Sequence, residues 1–450
     1  MPGATLSRWT MSYFAAACLM LVVGQGMMAA GFGYPAAAIG APETLVLVHV
    51  VAIGWLSLLM VGALLQFVPV LVGRPLVGGN YAASALLLLI VGLVCLVAGF
   101  VALSGAVDLP LVLLPLGGGA LVAGFGLVLA ILLASLLAAR PLPLPARFVA
   151  LGLAALAGTI LLGFCFTLAL SGVGAGSLLD RLVADGVSLH ATLGLGGWLS
   201  VTAIGVSYRL LTMFLLAPEK ERPTSHAALQ ATGLAMGLFF ICIATVLFGL
   251  SGEAVLFAAA LLLTLVAALL YGGDVLHIYR ARKRKQAELN IRASFIAIAV
   301  LLVSILLVNV PAMRDVDGVA ALVYLFVFGW LTGLGLAQLY KIVAFLTWLE
   351  AYGPIMGRAP IPRVQDLVEE SRARILFMLY YGAVAAATLA LFAGASGLFR
   401  IVVFAQLAAT LAIMREFVRA RRLSAVPAAL RTPAAIVPPN LFLPLTTSRR

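Results

Sequence analysis

The chain has 450 residues, of which 64% are hydrophobic and only 10% charged, with a formal net charge of +12. A soluble domain carries about 25% charged residues, so this composition excludes an ordinary soluble domain. Many apolar runs exceed the ~18 residues of a membrane span, and their continuity excludes the alternating pattern of a β-barrel. The chain reads as an all-α polytopic membrane protein.

In chain order, the apolar runs predict twelve transmembrane helices. They lie near 11–31, 44–72, 82–104, 109–138, 147–170, 186–216, 227–250, 254–279, 293–312, 318–349, 373–396 and 398–418. The first follows Arg8, but its apolar core of ~20 residues exceeds the 7–15 of a signal peptide. It is therefore read as a helix of the domain. The four cysteines, Cys18, Cys95, Cys165 and Cys242, fall on four different spans, a spacing that gives neither a disulfide framework nor a CxxC metal site. The membrane domain is expected over 1–423. The Pro- and Ala-rich stretch 424–450 is expected to be a disordered cytoplasmic tail.

The positive charge is asymmetric. With the N-terminus in the cytoplasm, 25 of the 28 Lys and Arg residues fall inside, and only Arg181, Arg314 and Arg400 fall outside. That bias places both termini in the cytoplasm of a bacterial-type inner membrane. The run "RARKRKQ" at 280–286 reads as a topology anchor with affinity for anionic lipid headgroups, not as a nucleic-acid site. The partners implied are the lipid bilayer, with other membrane subunits or an electron donor. Phosphate-binding loops, nucleophile elbows, HExxH motifs and CxxCH heme-attachment motifs are all missing from the sequence.

Three of the five tryptophans share their neighbours. Trp55, Trp198 and Trp330 each follow a glycine (Gly54, Gly197, Gly329) and precede Leu and a hydroxyl residue (Ser57, Ser200, Thr332). Seven residues on come Gly62, Gly205 and Ala337. Eleven on come Gln66, Arg209 and Lys341. These copies lie on spans two, six and ten. Their spacing predicts three pseudo-symmetric repeats of four helices about an axis along the membrane normal. The glycines predict close helix approach beside each indole. Arg209 and Lys341, about 16 Å below their tryptophans, are expected to snorkel to the inner surface.

Two of the three copies carry a histidine near the outer end of the helix: His49, six residues before Trp55, and His190, eight before Trp198. An ionisable group in a membrane helix is a functional candidate, and neutral imidazole is a ligand for heme iron and copper. The two-residue offset amounts to about 200° on a helix, so the two rings need not point into equivalent pores. Asp274 and His277, an i, i+3 pair, read as a surface carboxylate serving nearby cations. Met20, Met27 and Met28 read as apolar filler.

On these Gly-Trp helices the chain resembles subunit I of the heme-copper oxidase superfamily, which includes cytochrome c oxidases and nitric oxide reductases. The resemblance implies twelve helices, cytoplasmic termini and pseudo-threefold repeats. It implies that His49 is an axial ligand of a low-spin heme and that His190 is a copper ligand. Tyr324, six residues before Trp330, would supply the axial position opposite His49. The other family ligands are missing: helix seven has only His226, at its cytoplasmic start, and the remaining family positions hold Thr192 and Leu322. The resemblance therefore implies at most one heme or copper, and no oxygen or nitric oxide reduction. A link to respiration or nitric-oxide tolerance follows from it. A small-solute transporter or a non-catalytic partner or assembly subunit on the same scaffold is the alternative.

Overall fold

The computed structural model describes residues 9–174, 176–313, 315–358, 360–431 and 439–442; Arg8 and Arg314 lie outside the described residues. Twelve helices are long and apolar enough to cross a membrane. They are α1 (Thr10–Ala30), α2 (Pro42–Val72), α3 (Gly79–Leu103), α4 (Leu113–Leu137), α5 (Leu144–Leu170), α6 (Val187–Leu215), α7 (Pro223–Phe248), α8 (Glu253–Arg280), α9 (Leu289–Val308), α10 (Val316–Ile355), α11 (Glu370–Phe392) and α12 (Ser396–Arg421). Each predicted span has its helix, and the described residues contain no strand. Proline opens α2 and α7, where its missing N–H costs nothing. Left-handed glycines close α1 and α7, at Gly31 (φ 83°) and Gly249 (φ 63°).

An even number of spans returns the chain to the end where it began. Ser12, at the start of α1, donates to the Phe442 carbonyl at 2.7 Å, so the first and last described segments meet at one end of the bundle, the termini end. The described parts of 424–442 dock there. Val426 is buried, the Tyr352 hydroxyl donates to the Leu430 carbonyl at 3.0 Å, and Arg421 donates to the Asn440 carbonyl. At the opposite end, Arg181 donates to Leu247 O and Arg400 to Ala30 O. Each guanidinium neutralises the last carbonyls of a neighbouring helix, α7 and α1, where the helix dipole is negative.

The three Gly-Trp helices form the centre. In α2, α6 and α10 between 61% and 72% of the central stretch is buried, against 22–44% in the other nine. The glycines allow the approach. A Cβ on Gly54 would sit 2.8 Å from Met20, on Gly197 2.5 Å from the Ala155 methyl, and on Gly329 2.8 Å from Val300. All three helices widen into a π-helical turn over the shared motif: Val50–Ser57, Thr192–Val201 and Leu325–Thr332. Such turns shift the register of everything on one side of them.

The widened turns carry a closed ring of hydrogen bonds. Trp198 Nε1 donates to Ser57 Oγ at 3.1 Å, Trp330 Nε1 to Ser200 Oγ at 3.0 Å, and Trp55 Nε1 to Thr332 Oγ1 at 2.9 Å. Ser57 and Ser200 pass the hydrogen bond on to the carbonyls five residues back, Ala52 and Leu195, at 2.8 Å. A buried indole N–H needs an acceptor. Each helix therefore supplies the acceptor for the next, and three contacts that close on themselves hold the indoles at one level.

Candidate functional site

The ring defines a register. On each pair of central helices, a position on one faces the position two residues further along the copy before it: Trp198 on α6 meets Ser57 on α2. A two-residue step is about 200° of helix rotation. Eight residues before Trp198 and Ser57 stand His190 and His49, which have the same relation. The offset that separates them on aligned copies is the offset that turns them toward each other.

The two imidazole rings lie 6.5 Å apart, centre to centre, with their planes 29° from parallel. Both side chains are half-buried. His49 Nδ1 is 2.7 Å from the Leu45 carbonyl. A carbonyl can only accept, so Nδ1 carries the proton and the neutral ring leaves the Nε2 lone pair free. Metal-bound histidines commonly anchor one ring nitrogen to a backbone carbonyl in this way. His190 Nδ1 is buried with no hydrogen bond of normal geometry, although the Thr159 backbone lies beside its ring. Phe100 packs on His49 at 5.0 Å, and the edge of Phe166 meets His190 at 5.5 Å. Gly163 makes room for the imidazole, since a Cβ there would sit 3.1 Å from His190 Cε1.

The 6.5 Å separation is close to that of two imidazoles sharing one metal ion, and the planes, 29° from parallel, are equally those of a stacked imidazole pair. An imidazole nitrogen lies about 2.0–2.1 Å from its metal, so two imidazoles bound end-on along one line have ring centres about 6 Å apart. Among the described residues no three His, Cys, Asp or Glu side chains converge.

The corresponding positions of the other two interfaces carry different chemistry. Between α6 and α10 they are Thr192 and Leu322. Both line a cavity of about 240 Å³ whose walls include Ser200, Met236, Tyr271 and Ser304, and which contains no histidine, cysteine or carboxylate. Between α10 and α2 they are Leu47 and Tyr324. Tyr324 has the same register on α10 as His49 has on α2, whereas facing positions differ by two residues. Tyr324 is buried against Phe328 and Phe399, and its hydroxyl is bound to Gln406 of α12. The structure thus brings His49 to His190 and gives Tyr324 a different partner.

The remaining candidates separate. His226 pairs with Glu221 at 3.0 Å near the start of α7, and His277 is exposed. Asp274, read as a surface carboxylate, is buried at 1% exposure. It accepts from Arg222 at 2.7 Å, Thr224 at 2.5 Å and the Tyr208 hydroxyl at 2.9 Å. Its cation comes from the connection ahead of α7, not from the adjacent basic run. Helical periodicity held the missing signal: Asp274 lies three residues after Tyr271 and four before Ile278, both buried. Arg209 pairs with Glu219, and Lys341 with Glu288 at 2.6 Å. All four cysteines are free thiols.

No protein-family model matches the chain, and no curated protein sequence matches it. What the described residues themselves show is a twelve-helix membrane-spanning architecture in which an imidazole from α2 and one from α6 lie side by side.

Proposed function

We propose that the chain is an oxidase-like integral membrane protein, built as three four-helix repeats, in which His49 and His190 together hold one heme or one copper ion. The observation that carries this reading is the convergence of two imidazoles from α2 and α6, one with its tautomer fixed by Leu45 and the other with a buried ring nitrogen that has no hydrogen bond of normal geometry. Such a centre, when bound, would supply one-electron transfer or ligand sensing. The chain's part is to present the free Nε2 of His49, to shield the pair with Phe100 and Phe166, and to satisfy His190. With two ligands in place of the set a binuclear centre requires, the protein does not reduce oxygen or nitric oxide. The asymmetry of Lys and Arg supports an inner-membrane location with both termini cytoplasmic. Membrane subunits or an electron donor would serve the same centre.

The test is the optical spectrum of the purified protein, oxidised and dithionite-reduced, with metal analysis of the same sample. A Soret band or stoichiometric copper in the wild type, lost in both His49→Ala and His190→Ala, is expected. Retention of the cofactor by either variant would assign it elsewhere. Absence of both heme and copper after heme- and copper-replete expression would end the cofactor reading. A second reading, a carrier for small uncharged solutes, is favoured by the apolar cavity between α6 and α10, and solute flux in proteoliposomes tests it.

A further inference from the structure

At the termini end, α9 and α11 start side by side. The Glu370 carboxylate accepts the Leu289 N–H at the start of α9, and deeper in the bundle the Tyr381 hydroxyl donates to the Ala293 carbonyl at 2.9 Å. Between these two helix starts is a surface cavity of about 230 Å³ lined by Leu289, Arg292, Glu370, Ser371 and Arg374. Two guanidinium groups, a hydroxyl and one carboxylate therefore meet in one hollow, with a net charge of +1. Arg292 donates its Nε–H to the Ala287 carbonyl at 2.8 Å, which leaves its terminal nitrogens available. Neither arginine has an ion-pair partner among the described residues. Elsewhere at this end, by contrast, Arg372 and Arg419 are paired with Glu369 and Glu416.

The continuation of each helix away from the hollow is apolar and exposed. Four residues past Arg292 on the same face is Ile296, 44% exposed, and four past Arg374 is Met378, 57% exposed. Positive charge at the rim and an uncovered apolar track running into the membrane are the two halves of an amphiphile site. A free anion would use the first half and leave the second uncovered.

We infer that the hollow between α9 and α11 holds the phosphodiester headgroup of an anionic phospholipid, clamped by Arg292 and Arg374, with its acyl chains lying along Ile296 and Met378. Arginine suits a phosphate oxygen pair because its planar fork donates two parallel hydrogen bonds. The Ser371 hydroxyl is a third donor, and the N-terminal ends of α9 and α11 add their positive dipole ends. The site is separate from the "RARKRKQ" run and from the imidazole pair, so its test is independent of the cofactor reading.

The full-length protein is placed in phosphatidylcholine nanodiscs, and phosphatidylglycerol is titrated in while bound lipid is counted by native mass spectrometry. Inorganic phosphate and glycerol 3-phosphate are titrated separately. Preferential retention of phosphatidylglycerol is expected, weakening with salt. Arg292→Gln or Arg374→Gln should lower its affinity about fivefold, and the pair about thirtyfold. Arg363→Gln, an exposed arginine paired with Asp366, should leave it unchanged. Ile296→Asn should weaken the lipid but not glycerol 3-phosphate. Phosphatidylglycerol binding that is insensitive to both arginines, or insensitive to salt in the wild type, overturns the site. Inorganic phosphate binding as tightly as phosphatidylglycerol overturns the lipid and leaves an anion site.

Discussion

Two interfaces between the central helices share one backbone plan and diverge in what fills it. Between α2 and α6, Trp198 binds Ser57, and eight residues away His190 faces His49. Between α6 and α10, Trp330 binds Ser200, and eight residues away Leu322 and Thr192 line an apolar cavity. The helix widening, the glycine approach and the indole hydrogen bond are common to both. The scaffold therefore does not select the chemistry. It supplies facing positions at a fixed register, and two side chains decide whether a position is an imidazole pair or the wall of an apolar cavity.

Substitutions on either side of this contrast should separate the two interfaces. The largest effect is expected at Gly163, whose added side chain would enter the space of His190 Cε1 at 3.1 Å. Gly163→Leu should abolish cofactor loading, read as loss of the Soret band or of bound copper, while Ala235→Leu in the α6–α10 cavity should leave loading intact. Equal loss in both would mean that the two interfaces are not independent. Next comes Gly197→Leu, whose Cβ would lie 2.5 Å from the Ala155 methyl. Overpacking of that kind costs about 1–3 kcal/mol, visible as a lower unfolding temperature in detergent.

A smaller and more selective effect is expected from the indoles. Trp198→Phe and Trp330→Phe each remove one hydrogen bond of the ring, and interhelical hydrogen bonds in membranes contribute about 0.6 kcal/mol on average. Both should destabilise to a similar degree by thermal melt. Only Trp198→Phe should also shift the spectrum or affinity of a centre at His49 and His190. A spectral shift in Trp330→Phe of the same size would show that the ring acts as a whole.

The smallest effect is a pH dependence confined to the α10 side. Burial works to raise the Glu288 pKa, but Lys341 and Arg284 outweigh it and hold the carboxyl below its usual range. A depressed carboxylate contributes stability above the unfolded carboxylate pKa and loses it as pH falls through the folded value. Glu288→Gln should therefore melt lower than wild type at neutral pH, by up to about 1 kcal/mol in stability. The two should converge in acid below the ordinary carboxylate range. A constant difference down the whole pH range would assign the effect to packing.

Some of this was legible in the residues alone. All twelve spans could be read because hydropathy is a local property and each run meets the bilayer by itself. The glycines beside Trp55, Trp198 and Trp330 announced close approach, and the structure has it. The hydroxyls two residues on were visible as a pattern but not as acceptors. Their donors lie 141, 130 and 277 residues away in the chain, and no local rule pairs them. Tyr324 looked like the companion of His49 because the copies were aligned position for position. Facing positions in a ring are offset, and that offset became measurable only from the indole contacts. Asp274 looked exposed beside a basic run, yet its partners Arg222 and Tyr208 come from 52 and 66 residues earlier.

Twelve spans and three like helices are readable from the residues alone, because apolar length and rare-residue spacing are properties of one segment at a time. Which side chains meet is settled by packing. The direction a side chain points depends on helix rotation, and a π-helical turn resets that rotation in a way hydropathy does not record. Such turns are shared by α2, α6 and α10, and beside the first two of them histidines 141 residues apart in the chain come within 6.5 Å of each other.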